Sequence, residues 1–405
     1  MNIEEISAHT VLNSRAQPTS EFLLTLDNGV SGRGSAPEGE TRSRAERPPL
    51  RTLPEDVINS LVGESGDLRR ASDQRSVDKV LREHLDDLGP DTALGISVAY
   101  LNASARTREV PPYVMLRSIA GLDGPATPGL PTLLLNVLNG GAHARTNPIL
   151  SDFPEYLLVP RSSQLKDYLP PFREIQQQVL RELGSMSVVD NDGSPVHAAP
   201  RSDNRAWIEL LLGVLERLGL ENEFDLMIDA SANDFESDGL YRFSRTDGRV
   251  FNRDEFVEYW LELSSDYPMA LIEDPFAEDD FGAWIRLHEQ ARGSTIVGDN
   301  LCSTDASKIR NASEQNMIGA VLIKPNQAGT VTDAVDAVAA AVDSGISPIP
   351  SHRSVETDVP WLADLCRAFG SEYAKLGLLS DFETIQKVNR LLRYSAENNR
   401  TVSLR

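Results

Sequence analysis

Six short apolar runs in the second half of this chain each end on residues that can do chemistry. "DLMID" ends on Asp229, "MALIED" on Glu273 and Asp274, "STIVGD" on Asp299, "AVLIK" on Lys324, "SPIPSHR" on His352 and Arg353, and "EYAK" on Lys375. The three carboxylates Asp229, Glu273 and Asp299 offer oxygen donors suited to a hard cation such as Mg²⁺. Lys324 is one of six lysines among 39 basic residues, so this chain ordinarily chooses arginine. Lysine, unlike arginine, gives up its proton when burial or a nearby cation depresses its pKa, and it can then act as a base. Lys375 adds a second cation, and "SHRS" (351–354) offers a guanidinium and hydroxyls for a phosphate or carboxylate. Together the parts describe proton abstraction beside a carboxylate, with metal stabilising a doubly charged enediolate. The plainer reading of each residue alone is a helix-capping carboxylate or a lysine snorkelling at a rim. Repetition on successive runs weighs against it.

The elements that must position these residues follow from the spacing. From Asp229 the ends recur at intervals of 44, 26, 25, 28 and 23 residues, reaching Glu273, Asp299, Lys324, His352 and Lys375. Roughly 25 residues accommodates one strand, one helix and two loops, the repeat of a parallel α/β barrel whose chemistry sits at the strand C-termini. Helical segments such as "DAVDAVAAAVDSG" fall between the runs. Two earlier runs, "LLLNVLNGGAH" and "PEYLLVP", complete a TIM-type barrel. They lie too close together for a full strand–helix unit, so the barrel is expected to begin irregularly. Residues 1–126 read as a smaller α+β domain, with strand-like "EISAHTVLNSR" and "SEFLLTLDNGVSGRG" and a hairpin turn at Asn28–Gly29. Helical patterning follows through "SVDKVLREHLDDL" and "ALGISVAYLNASARTR". Gly- and Pro-rich "GLDGPATPGLP" leads into a second domain, 127–405.

Composition narrows the function classes. A formal charge of −22 argues against binding nucleic acid through phosphate contacts. Cys302 and Cys366 have neither metal-ligand spacing nor a disulfide framework, and a cytoplasmic protein is expected. No stretch approaches the ~20 apolar residues of a membrane span.

Longer motifs then carry a resemblance to the enolase family over nearly the whole chain. "VLNSRAQPTSE" resembles the family's "SRGNPTVE", "LGPDTALGISVA" its "GANAILGVSLA", and "NVLNGGAHA" its "NVINGGSHA". "MIDASANDF", "DYPMALIEDPF", "IVGDNL", "LIKPNQAGTVTDA" and "SHRSVETD" follow in the family's order. The resemblance implies an α+β N-terminal capping domain and an enolase-type TIM barrel with an irregular first half. It implies one or two Mg²⁺ ions on Asp229, Glu273 and Asp299. Lys324 would remove the α-proton of 2-phosphoglycerate, Lys375 would neutralise the substrate carboxylate, and Arg353 and Ser354, beside His352, would hold the phosphate. His143 and Glu155 would serve the departure of the β-hydroxyl. A homodimer or larger homo-oligomer is also implied.

The departures fall in the loops. Where enolases carry "PSGASTG", with a serine that joins a second Mg²⁺, this chain has "PEGETRS", and Thr41 is the replacement hydroxyl. "ARTNPILSDFP" separates His143 from Glu155 and brings in Arg145. "GDEGGFAP" becomes "DNDGSPVHAAP", with Asp192 the nearest counterpart of the family's glutamate, one methylene shorter. Val355 replaces a glycine. Enolisation residues match while the loops that handle the β-hydroxyl differ, and arginines 42, 44, 47, 51 and 145 suit a further phosphate or phosphonate. The favoured expectation is therefore a specialised enolase homologue, similar to the carboxyphosphonoenolpyruvate synthases of phosphonate antibiotic biosynthesis. The alternatives are an ordinary phosphopyruvate hydratase of glycolysis and a non-catalytic paralogue acting as a binding protein.

Overall fold

The N-terminal strands Ile3–Leu12 and Pro18–Leu26 pair in antiparallel register, with Phe22, Leu24 and Leu26 alternating inward on the second, and Ser31–Ser35 adds a third strand beyond the expected Asn28–Gly29 turn. Gly29 takes a φ of +78° there, and its N–H donates to the Leu26 carbonyl. The computed structural model describes residues 1–36, 53–122, 129–141, 148–184, 187–189, 195–199 and 203–398. Their contacts divide into two units. One joins Met1–Pro131 with Cys302–Arg310 and Leu322–Arg405; the other joins Thr132–Leu301 with Asn311–Val321.

In the first unit the three-stranded sheet packs on the helix Pro90–Thr107, which is buried nearly all round because it lies in a core. Gly32 and Gly34 make this close approach possible: a Cβ on Gly34 would lie 2.1 Å from the Gly95 carbonyl oxygen. Phe22, Leu24, Leu26, Leu81, Ile96 and Tyr100 fill the shared core. The helix Gln74–Glu83 starts at a capping box on Asp73. Its buried Asp78 accepts from the Ser97 hydroxyl at 2.6 Å and from the Thr332 N–H at 2.8 Å, tying it to the helix Val331–Asp343. The strands Ser347–Pro350 and Tyr373–Ala374 belong to the same unit, each followed by a helix, Trp361–Phe369 and Phe382–Asn398 respectively.

The second unit holds the expected irregular start. The strand Glu155–Pro160 runs antiparallel both to Leu135–Asn139 and to Phe224–Asp229. From Phe224–Asp229 onward the direction is uniform: Met269–Glu273, Thr295–Gly298 and the first residues of Ala320–Ile323 pair in parallel, as repeated strand–helix units require. The helices Arg205–Leu218, Arg253–Asp266 and Phe281–Gln290 intervene. Phe153, Phe235, Phe243, Phe256, Tyr259 and Trp260 form an aromatic cluster in this unit, with Phe153 stacked on Trp260 at 5.2 Å between ring centroids. Among the described residues no helix is long and apolar enough to cross a membrane.

Candidate active site

In the second unit the carboxylates arrive at one end of the sheet by register. Asp229 and Glu273 are the last residues of neighbouring parallel strands and stand directly opposite each other. Glu273 also pairs with Val297, so Asp299 lies two residues further along the next strand's exit. Glu155 opens its strand rather than closing it. Because that strand is antiparallel, Glu155 nevertheless stands opposite Asp229, at the same end. Asp229, Glu273 and Asp299 are only 0–5% exposed, which is costly for carboxylates unless charge or hydrogen bonds compensate. One Asp229 oxygen accepts from the Ser231 N–H at 3.1 Å and the Ser231 hydroxyl at 2.9 Å.

Asp274 organises these ends. Its two carboxylate oxygens accept the N–H groups of Asp299 and Asn300, each at 2.8 Å. Its own N–H donates to the Val297 carbonyl, and its carbonyl accepts from Ala232 N–H. The backbone takes a φ of +44°, unusual for a non-glycine residue and typical of functional turns. Burial first, then the negative charges of Asp299 and Asp229, hold the Asp274 carboxyl well above the usual range, and the two N–H donors oppose that rise. The electrostatics of this corner are therefore those of several carboxylates in a confined space.

In the first unit the cationic residues gather around His352. Its N–H donates to the Lys375 carbonyl at 2.8 Å, and Ser351 bridges to Lys375. Burial of the imidazole, then the ammonium groups of Lys387, Lys375 and Lys324, press its pKa well below the ordinary histidine value. Lys324 leaves its strand at the N-cap of the short helix Pro325–Ala328, and its N–H donates to the Thr304 hydroxyl. The buried Arg353 donates through Nη1 to Asn326 at 3.0 Å, and Ser354 offers its carbonyl to Arg15. Sequence reasoning passed over Lys387 and Glu356, whose ion pair underlies this loop. The scarcity of lysine was the available signal, since three of the six lysines act on His352. Thr41, His143, Arg145 and Asp192 lie outside the described residues.

Whether these carboxylates suit a metal turns on their chemistry. Among the described residues no three His, Cys, Asp or Glu side chains form a ready-made metal cluster. The donor set nevertheless fits Mg²⁺. Three buried carboxylates on successive parallel strand ends supply only hard oxygen ligands, and the negative charge gathered around Asp274 is what a divalent cation relieves.

Comparison with known proteins decides the family. The family "Enolase, C-terminal TIM barrel domain" matches residues 128–403. An enolase of Campylobacter lari is 32% identical over 416 aligned positions, covering 98% of each chain. An enolase of Ehrlichia ruminantium is 31% identical over 414 positions, covering 97% of this chain and 96% of the relative. The chain belongs to the enolase family. It is accordingly an enzyme of the Mg²⁺-dependent enolase superfamily, built on an enolase-type TIM barrel with an irregular first half after an α+β N-terminal part. Enolase relatives that align along both full lengths favour ordinary enolase chemistry at least as well as a specialised one.

Proposed function

We propose that this enzyme removes the C2 proton of 2-phosphoglycerate and then expels the β-hydroxyl, giving phosphoenolpyruvate. The observation that carries this reading is the ordered series of strand-end groups, three carboxylates followed by Lys324, Arg353 and Lys375, in a chain that aligns end to end with enolases. Residues 1–126 serve as the N-terminal α+β domain and 127–405 as the barrel domain.

In this reading Asp229, Glu273 and Asp299 hold Mg²⁺, with Thr41 the candidate ligand of a second ion. When bound, the cation lowers the energy of the negative charge that accumulates on the substrate carboxylate. Lys324 takes the C2 proton as an amine, a role closed to arginine. Lys375 neutralises the substrate carboxylate, while Arg353, Ser354 and His352 hold the phosphate, with Arg145 a further anion contact. A low-pKa imidazole at His352 remains neutral near pH 7 and accepts or donates a hydrogen bond without adding charge. Glu155, His143 and Asp192 serve the departing hydroxyl. The enzyme is cytoplasmic and a homodimer or higher homo-oligomer.

A second reading is favoured by the loop sequences alone. "PEGETRS", "ARTNPILSDFP" and "DNDGSPVHAAP" depart from the family where the β-hydroxyl is handled, as a carboxyphosphonoenolpyruvate synthase-like enzyme of phosphonate antibiotic biosynthesis would require. Incubation with Mg²⁺ and 2-phosphoglycerate in D₂O separates the two. Rapid phosphoenolpyruvate formation establishes the first reading. C2 deuteration without net dehydration sinks it and promotes the second. Absence of both overturns the pair.

A further inference from the structure

The loop that carries His352, Arg353 and Ser354 is held by a carboxylate beneath it. Glu356 Oε1 accepts the Arg353 N–H at 2.8 Å. The backbone of Glu356 is fixed on both sides by Ser14: its N–H donates to the Ser14 hydroxyl at 3.0 Å, and its carbonyl accepts the Ser14 N–H at 2.8 Å. Thr357 continues the anchorage, accepting from the Ser35 hydroxyl at 2.8 Å. The other carboxylate oxygen, Oε2, lies 2.8 Å from the ammonium of Lys387, which rises from the helix Phe382–Asn398 and is 1% exposed.

The arrangement has a direction. A carboxylate that is 9% exposed is held in orientation when a cation faces one oxygen, and the other oxygen is then a strong acceptor for a backbone N–H. That N–H belongs to Arg353, whose guanidinium is steadied in turn by Asn326. An ammonium buried on a helix is thus connected through a single side chain to the backbone of the loop. A lysine here is also a marked choice in a chain with only six.

We propose that Lys387 is a positioning residue for anion binding: through Glu356 it sets the Arg353 amide and the loop conformation that receives the substrate phosphate. This rests on the reading of Arg353 and Ser354 as phosphate ligands. Without the ammonium, Glu356 turns away, the Arg353 N–H loses its charged acceptor, and the loop samples conformations that grip phosphate poorly.

The test uses the full-length enzyme with inorganic phosphate as probe, binding being followed by calorimetry, alongside KM and kcat for 2-phosphoglycerate and Tm. Lys387→Met is expected to weaken phosphate binding and raise KM by about tenfold while kcat changes much less, and Lys387→Arg to recover most of the affinity. Glu356→Gln is expected to weaken phosphate binding as well, because the amide turns its NH₂ away from Lys387 and toward the Arg353 N–H. It serves as the decisive variant if Lys387→Met does not fold. A lower Tm with phosphate affinity and KM within about twofold of the parent shows a merely structural ion pair and overturns the proposal. Arg353→Met separates the role of Lys387 from the phosphate site itself. If it weakens phosphate binding while Lys387→Met and Glu356→Gln do not, only the role of Lys387 fails. If Arg353→Met has no effect, the phosphate site itself is misplaced and the proposal falls with it.

Discussion

Asp274 accepts the backbone N–H of Asp299 at 2.8 Å, so the exit of one strand is fixed by the side chain that follows the end of its neighbour. The second Asp274 oxygen takes the Asn300 N–H, and the Asp274 backbone bonds back to Val297 and forward to Ala232. Three consecutive strand ends therefore share one clamp. The spacing between Asp229, Glu273 and Asp299 is set by backbone hydrogen bonds around Asp274 rather than by contacts between the carboxylates.

The clamp makes Asp274→Asn informative. An amide keeps one acceptor and turns an NH₂ group toward the other N–H, leaving Asp299 or Asn300 unsatisfied at a cost of about 1–3 kcal/mol. The strand exits then loosen, and Mg²⁺ affinity should fall by about 10–100-fold, as when a group that orients a metal ligand by hydrogen bonding is lost. Calorimetric Mg²⁺ titration of the folded variant checks this. Affinity equal to that of the parent would show that the clamp does not position the carboxylates.

Lys324→Ala should abolish C2 exchange while leaving Mg²⁺ binding intact, because Lys324 is proposed to contribute the base and no metal ligand. The expected loss is about 10²–10⁴-fold in the rate of C2 deuteration, followed by proton NMR in D₂O. Lys324→Arg should not restore it, since a guanidinium stays protonated at any accessible pH. Recovery of exchange in the arginine variant would remove Lys324 from the role of base.

The strand ends were legible because an apolar run followed by a charged residue at a steady interval is a pattern in one dimension. Strand direction is not such a pattern. "PEYLLVP" reads as a buried strand whichever way it runs, and only the pairing of Glu155 with Asp229 shows why the residue at its start shares an end with residues at the finish of others. Asp274 stood next to Glu273 in the sequence, but its partners are backbone N–H groups 25 and 26 residues away, which side-chain identities do not announce. Lys387 sits in "FETIQKVNRLLRYSAEN", where a charged residue ordinarily marks a solvated face, yet tertiary packing buries it against Glu356.

Asp78 gives the first unit a pH signature. Burial outweighs its hydrogen bonds from Ser97, Thr332 and Gln74 and pushes its carboxyl up to about 6. In the unfolded chain the group returns to an ordinary pKa near 3.8, so the folded state binds the proton more tightly. Its contribution to stability is therefore fully present below about pH 4 and is lost as the pH rises through about 6. Asp78→Asn lacks this titration. Its stability deficit relative to the parent should widen by about 2 kcal/mol between pH 7 and pH 4.5. Urea unfolding at several pH values measures it, and a deficit that is flat with pH would exclude Asp78 as the titrating group.

Two glycines test the packing of the N-terminal sheet against its helix. A methyl on Gly34 would sit 2.1 Å from the Gly95 carbonyl oxygen and 2.4 Å from the Ala99 nitrogen, both backbone atoms that cannot swing aside. Gly34→Ala must push the strand off the helix Pro90–Thr107, and it should cost about 3 kcal/mol or more. Gly282 is the contrast. It lies in the helix Phe281–Gln290, and a Cβ there meets nothing within 4 Å. Gly282→Ala removes only the entropic cost of a helical glycine and should stabilise by up to about 1 kcal/mol. Urea unfolding of both variants should move the midpoints in opposite directions. A Gly34→Ala protein as stable as the parent would mean that strand and helix are not in the close contact that these distances describe.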